Sequence, residues 1–355
     1  MKYVFGVSSH LSFYLCHKIV ETDLLNPDNC IFFFTRNYHC PTKYDTIYKN
    51  IIDTDYNVST NSGRVFEGLN FIKTKRNIRQ FDALVDAYIK GDEFLWYSQI
   101  CNNDFCSLFV TKTNCKGYYV IEDGVGSYRE INPQTFTGWK SLLYKLILKP
   151  IWKRCFEVKN FFITTDHPKF KGCIATTEQC FPLHKKYLRC VGLPFEKIDL
   201  GFTPDALISI DPLYLWIKEQ HEEKVHQELS KHIKAKKYRC VAYKFHPYFN
   251  AKANANIKKR YIEIINKFYD NVPLYELDSV IAIENVLITY QCDFYTDNSS
   301  VAIYASQAGS KCYSYIPIIK HYTKENISIH KGYPNIPILE KVLIPIEVEH
   351  SRNNH

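Results

Sequence analysis

The sequence predicts an α/β chain of two domains, each built on a parallel sheet. Three observations carry that expectation. At 355 residues the chain is too long for one ordinary core and suits two domains of roughly 150–200 residues each. Short apolar runs alternate with segments of helical period, the rhythm of strand–helix–strand units wound by right-handed crossovers. Several runs end in polar residues and a turn, as buried parallel strands do. The clearest is Tyr118-Tyr119-Val120-Ile121-Glu122-Asp123-Gly124-Val125-Gly126, where an apolar climb meets two carboxylates and then glycine.

Taken in order, Lys2–Val7 reads as a first strand and Ser8-Ser9-His10 as its turn. A helix follows with Leu11, Leu15, Ile19 and Val20 on one side. A serine-rich strand-to-helix turn supplies a cap, and its helix N-terminus can face a ligand. Ser9 and His10 are therefore either a plain cap or contacts to an acceptor substrate. Residues 30–35 are a second buried strand, 44–77 are polar and irregular with a possible strand at 65–72, and 78–90 have helical period. Residues 94–97 read as a strand and 102–111 as a helix before the Tyr118 run. Residues 139–156 are apolar, aromatic and basic, with Trp139, Trp152, Lys153 and Arg154. They suit a core helix with snorkelling lysines or an element lying on an anionic bilayer.

Further strands are expected at 161–165 and 198–201, and a hinge at 201–205 with Pro212 close behind. A charged helix then runs from Trp216 to Lys237. The second domain repeats the rhythm. Residues 238–245 form a strand ending at His246-Pro247, 257–268 a helix, and 286–290 a buried strand before Asp297-Asn298-Ser299-Ser300. A short helix over 301–308 stops at Gly309, and 311–316 are a strand. Prolines and apolar residues alternate over 327–348. The expected division is 1–203, 204–325, and a tail at 326–355 that packs back on the first domain.

Composition narrows the function. Hydrophobic residues make up 46% and aromatics 15%, which suits a well-packed protein rather than a disordered one. A formal charge of +8 suits an anionic nucleotide or membrane, while no Lys/Arg block interleaved with aromatics points to nucleic acid. None of the 13 cysteines forms a C-x-x-C pair or a zinc-type cluster. With no signal peptide ahead of the first strand, reduced thiols in a cytoplasmic protein are expected. No apolar run reaches the roughly 18 residues of a membrane-spanning helix.

Three places at expected strand ends carry chemistry. A carboxylate of Glu122 or Asp123, held on rigid scaffold, can have its pKa raised by burial into the range of a general base. Lys244 and His246, two residues apart before Pro247, put a cation and a proton donor near one anion. Ser299 and Ser300 open a helix, where hydroxyls and free N–H groups can cradle a phosphate or simply cap. Glu276 lies between them and could accept both hydroxyls of a ribose. Together they suggest a nucleotide with one phosphate, whose departure is assisted by hydrogen bonding or protonation.

The ordered set Glu122-Asp123-Gly124, Lys244-x-His246-Pro247 and Ser299-Ser300 resembles the short motifs of bacterial sialyltransferases of the lipooligosaccharide and polysialic-acid types. The resemblance implies a GT-B-like pair of Rossmann-like domains. It also implies inverting transfer of sialic acid from CMP-sialic acid to a glycan hydroxyl, without a metal or other cofactor. Glu122, favoured slightly over Asp123, would be the base and the other carboxylate would orient the loop. His246 would bind or protonate the phosphate, Ser299 and Ser300 would hold it, and Glu276 would hold the ribose. The implied partners are the CMP-sugar donor, an oligosaccharide or lipid-linked acceptor and an anionic membrane at the cytoplasmic face. A Kdo transferase using CMP-Kdo, or a non-catalytic glycan-binding protein, remains the alternative.

Overall fold

The computed structural model describes residues 1–35, 38, 41–54, 69–99, 108–128, 146, 167–215, 217–250, 254–323 and 336–348. The chain divides into two units, Met1–Pro194 and Phe195–His355.

In the first unit, β1 (Lys2–Val7), β2 (Cys30–Phe34), β3 (Ile51–Asp53), β4 (Phe94–Gln99), β5 (Cys115–Ile121), β6 (Phe170–Ala175) and β7 (Leu188–Cys190) share one sheet. Their order is β3-β2-β1-β4-β5-β6-β7, and every pairing is parallel. The strands are mostly apolar because both faces are covered. On one face Val4, Ile31, Phe33, Trp96 and Tyr118 pack with Phe81, Val85 and Ile89 of α2 (Leu69–Ile89). Trp96 stacks on Phe109 with centroids 3.9 Å apart. A side chain at Gly6 would meet the Trp96 ring at 2.8 Å, so that position is closed to any larger residue. Phe13 of α1 (His10–Thr22) packs against Phe32, Phe34 and Tyr44.

The second unit repeats the plan. Its strands are β8 (Ala206–Ile210), β9 (Val241–Phe245), β10 (Leu274–Glu276), β11 (Asp293–Thr296), β12 (Cys312–Ser314) and β13 (Leu343–Pro345). They lie in the order β10-β9-β8-β11-β12-β13, all parallel. Val225, Leu229 and Ile233 of α3 (Glu219–Lys236) share a core with Tyr261 and Ile265 of α4 (Ala255–Phe268). The remaining helices are α5 (Ile283–Tyr290), α6 (Val301–Gln307), α7 (Ile316–Tyr322) and α8 (Pro337–Val342) among the described residues. Each sheet starts at its centre, grows one way for three strands, then returns to grow the other. Ligands in such sheets sit beyond the carboxyl ends, where that order reverses. The α/β class and the two Rossmann-like halves, each built on a parallel sheet, are as expected.

Several elements differ from the sequence reading. The expected hinge adjoins β8, a wholly buried central strand. Asp205 fixes its start by accepting the N–H groups of Arg239 and Cys240 at 2.7 and 3.1 Å. Residues 286–290 belong to α5, and the strand is β11, three residues on. A five-residue apolar run does not distinguish strand from buried helix. Residues 196–200 are not a strand either. The N–H groups of Glu196, Ile198 and Leu200 donate to Asn285 Oδ1, Thr289 Oγ1 and Tyr290 Oη, at 3.3, 3.0 and 2.8 Å. One extended segment is thereby tied along one helix, so the unit boundary falls at 194/195 rather than 203/204. The possible strand at 65–72 gives way to α2 from Leu69. The stretch expected to return to the first domain supplies β13, which pairs with β12. The expected elements at 139–156 and 161–165, apart from Leu146, lie outside the described residues, as do 102–107.

Candidate functional site

The acidic turn stands where the sequence put it, directly after β5, with Gly124 at φ +60° making the bend that a side chain resists. Its two carboxylates have different surroundings. Glu122 is fully buried. Tyr128 Oη donates to its Oε1 at 2.7 Å, and the Thr176 N–H and hydroxyl both donate to Oε2 at 2.7 Å. That carboxylate ties the end of β5 to the residue after β6 and to the 3-10 turn Gly124–Tyr128. Asp123 is half-buried, and its N–H donates to Ser127 Oγ at 2.7 Å. Of the two, Asp123 is the one solvent reaches, while Glu122, which the sequence reading slightly favours as base, is closed off.

Ser9 and His10 sit at the first sheet's reversal, after β1 and beside the end of β4. Ser9 forms a capping box with Ser12. Ser8 donates to Gln99 Oε1 at 2.6 Å, closing the step between the two strands. His10 packs edge-on against Tyr38. Ser9 is thus built as a cap.

The second sheet's carboxyl edge is denser in polar groups. His246 follows β9, and its N–H donates to Ile210 O at 3.0 Å. Asp211 follows β8 and Asp297 follows β11, so the two carboxylates flank that sheet's own reversal point. They are 7% and 5% exposed. Tyr315 Oη donates to Asp211 Oδ2 at 2.6 Å and Ser209 Oγ to Oδ1 at 3.2 Å. The Asp297 amide and carboxyl also hydrogen-bond with Asp211. Burial pushes the pKa of both acids up, and the charge of Asp211 pushes Asp297 further. Solvent reaches His246. Desolvation on its protein side lowers its pKa below 6.5, and the charge of Asp297 opposes this.

Ser299 Oγ accepts the Val301 N–H at 3.2 Å, and buried Ser300 is the N-cap of α6 without a capping bond from its side chain. Lys244 is buried, and its ammonium donates to the carbonyls of Ser279 at 3.0 Å and Ile281. It clasps the loop after β10 rather than standing as an open phosphate cation beside His246. Pro247 opens the 3-10 turn Pro247–Asn250. Glu276, the last residue of β10, pairs with Lys258 at 2.9 Å and accepts from Tyr243 Oη at 3.3 Å. It lines a cleft of about 390 Å³ with Lys244, Phe245, Lys258, Asp278 and Ser279.

Glu276, His246 and the two serines therefore share one sheet edge, across β10, β9, β8 and β11. At about 4.8 Å per strand they span about 14 Å. The Asp211–Asp297 pair between them escaped the sequence reading. Its signal is two Asp residues, each just after a short run (206–210 and 293–296), neither of which the sequence reading takes as a strand. No group of three or more His, Cys, Asp or Glu side chains among the described residues is placed to hold a metal. No helix among them is long and apolar enough to cross a membrane.

No family model matches the sequence, and no curated protein matches it. Among solved structures, the MnaA–UDP co-structure of S. aureus overlaps with a TM-score of 0.49 and 12% identity, covering 88% of this chain and 79% of that one. MurG of Acinetobacter baumannii overlaps with a TM-score of 0.38 and 7% identity over 96% and 93%. CalG4, the calicheamicin glycosyltransferase, overlaps with a TM-score of 0.41 and 9% identity over 88% and 79%. At these values the likenesses carry no argument about donor or reaction.

Proposed function

We propose that this chain transfers sialic acid from CMP-sialic acid to a hydroxyl of a bacterial surface glycan, by inverting displacement and without a metal ion. More broadly, it is a glycosyltransferase using a nucleotide-activated sugar. One observation carries the reading. The motif residues His246, Ser299 and Ser300 follow β9 and β11, the strands on either side of β8, at the reversal point of the second sheet. That is where a nucleotide is held in such sheets.

In this reading Asp123 takes the proton of the acceptor hydroxyl as its oxygen bonds to the anomeric carbon. The bond from that carbon to the CMP phosphate oxygen breaks in the same step. His246 donates to the departing phosphate, and Ser300 adds a hydroxyl. Glu276 and the cleft beside it take the ribose. Glu122, committed to Tyr128 and Thr176, holds the turn that presents Asp123. A monophosphate leaving group carries little charge, so hydrogen-bond donors suffice where a diphosphate would call for a cation. An anionic membrane at the cytoplasmic face is proposed as a further contact, through Lys145, Lys149, Lys153 and Arg154 outside the described residues.

The test is nucleotide release from purified protein offered CMP-sialic acid, CMP-Kdo and UDP-sugars in parallel with a glycan acceptor. Turnover with CMP-sialic acid, lost at least a hundred-fold in Asp123→Ala, supports the reading. Release from CMP-Kdo or a UDP-sugar alone overturns the donor. Absence of any thermal shift with CMP overturns the nucleotide class.

A further inference from the structure

The parallel ladder between β5 and β6 ends in an unusual bond. Its register pairs Tyr119, Val120 and Ile121 with Gly172, Cys173 and Ile174, and the Glu122 N–H continues it by donating to Ile174 O at 3.0 Å. In a regular parallel pair the next bond would run from the Thr176 N–H back to the main-chain carbonyl of residue 122. Here that N–H donates to the Glu122 carboxylate, at Oε2, over 2.7 Å, and the Thr176 hydroxyl donates to the same oxygen at 2.7 Å. The side chain takes the place of its own carbonyl. The strand can therefore turn out of the sheet at Asp123 and Gly124 while the N–H of buried Thr176 stays satisfied.

The loop that follows Thr176 closes onto the same turn. At its far end Phe181 donates its N–H to Ser127 O at 2.7 Å and is held at φ +49°, a region that side chains avoid. Ser127 is also the residue whose Oγ accepts the Asp123 N–H. Within the loop the Gln179 N–H donates to Thr177 Oγ1 at 3.3 Å and the Cys180 N–H to Thr177 O at 3.4 Å. Thr176, Thr177, Cys180 and Phe181 are all buried. Two loops from neighbouring strands are thus bonded at both ends. The chain bearing Asp123 runs between the two attachments, Glu122 and Ser127.

We propose that Thr176 is a positioning residue for the reaction: through Glu122 it fixes the direction in which Asp123 leaves the sheet, and residues 176–181 form the second half of the acceptor-side centre. The inference rests on the reading of Asp123 as the group that takes the acceptor proton. Thr176 acts through Glu122 and not on the reacting atoms. Its two donors hold Oε2 together, and Tyr128 Oη holds Oε1 from the other end of the turn. Removing the hydroxyl leaves the N–H bond in place but lets the carboxylate, and the turn built on it, shift. A base must stay within hydrogen-bond reach of the proton it takes, so a small displacement costs rate rather than affinity.

Two variants separate this role from a merely structural one. Thr176→Val keeps the shape and the N–H but loses the hydroxyl, whereas Thr176→Ser keeps the hydroxyl. Both are assayed with CMP-sialic acid and a glycan acceptor at a temperature well below melting. Thr176→Val should lower kcat about ten-fold, with acceptor KM and CMP affinity changed by no more than about two-fold. Thr176→Ser should restore kcat to within about two-fold of wild type. A kcat unchanged in Thr176→Val, or lowered equally in Thr176→Ser, overturns the proposal, because a structural hydroxyl would move the melting temperature alone. Should Thr176→Val fail to fold, Thr176→Ala replaces it in the same comparison. Amide hydrogen exchange adds a reading that needs no turnover. The Asp123 N–H should exchange faster in Thr176→Val than in Thr176→Ser or wild type, and equal exchange in all three overturns the proposal. Faster exchange in a protein that neither binds CMP nor turns over removes the reaction, and with it the positioning role, but leaves the bonded loops standing.

Discussion

Tyr128 gives its phenolic hydrogen to Glu122 Oε1 at 2.7 Å, inside a turn already closed by the bond from the Asp123 N–H to Ser127. Adjacent acids of one dipeptide thereby divide the work. The first fixes the turn from within, and the second is presented to solvent.

That division separates two phenotypes. Glu122→Ala removes the acceptor of the Tyr128 hydroxyl and of both Thr176 donors in a buried site, each lost bond costing about 1–3 kcal/mol. The first unit should lose several degrees in thermal melting. Asp123→Ala should melt within a degree or two of wild type while losing at least a hundred-fold in turnover. Equal melting of the two variants would refute the division.

His226 gives the second unit a built-in acid sensitivity. It is 3% exposed, neither ring nitrogen has a hydrogen-bond partner among the described residues, and burial pushes its pKa down to about 4 from 6.5. The unfolded chain therefore binds a proton that the folded chain refuses between those values. The stabilising effect of keeping it neutral is complete above pH 6.5 and fades as pH falls toward 4. The loss approaches about 3 kcal/mol at the lower end. Urea unfolding at pH 7 and 5 should show this slope in wild type and a much smaller one in His226→Leu. An unchanged slope would locate the sensitivity elsewhere.

Much of this was legible in the sequence, for physical reasons. The β5 run and its Gly124 turn announce themselves because a strand covered on both faces must be apolar and its exit needs a positive φ. The His246 position follows from the same logic, whereas Ser299 reaches a strand end through β11, not through the run at 286–290 that the sequence suggests. β8 escapes the sequence reading because only four apolar residues and Ser209 stand between Asp205 and Asp211-Pro212, and with it goes Asp211. α5 was misread because Val286-Leu287-Ile288-Thr289-Tyr290 has strand composition. Its identity is set by the segment at 196–200 that bonds along it. Nor can a dipeptide say which carboxylate turns inward. That depends on Thr176, more than fifty positions away (|i−j| = 54).

The cleft beside β10 should govern donor affinity rather than rate. Glu276 and Lys258 form a partly exposed pair, with side chains 39% and 30% accessible, so their contribution to stability is at most about 1 kcal/mol. Glu276→Gln keeps the size of the side chain but weakens its acceptance from a ribose. CMP should bind about ten-fold more weakly, or about 1.4 kcal/mol, with kcat and melting temperature nearly unchanged. Calorimetric titration with CMP checks this, and an unaltered affinity would move the ribose out of the cleft.

Lys244 supplies a prediction of opposite pH sense. It is 4% exposed, and burial pushes its pKa down to about 8 from 10.5, against the pull of Glu284 and Asp278. The folded chain gives up this proton before the unfolded chain does, so stability should rise as pH climbs from about 8 toward 10.5. Between pH 8 and 9.5 the gain is about 1–2 kcal/mol, since neutral lysine still donates to the two carbonyls. Lys244→Met should abolish the rise. The same variant frees the loop at 279–281 that borders the cleft, so it should also weaken CMP binding several-fold while leaving kcat in place. Urea midpoints at the two pH values give the first result and titration with CMP the second. A rise that survives in Lys244→Met would show that another group gives up the proton.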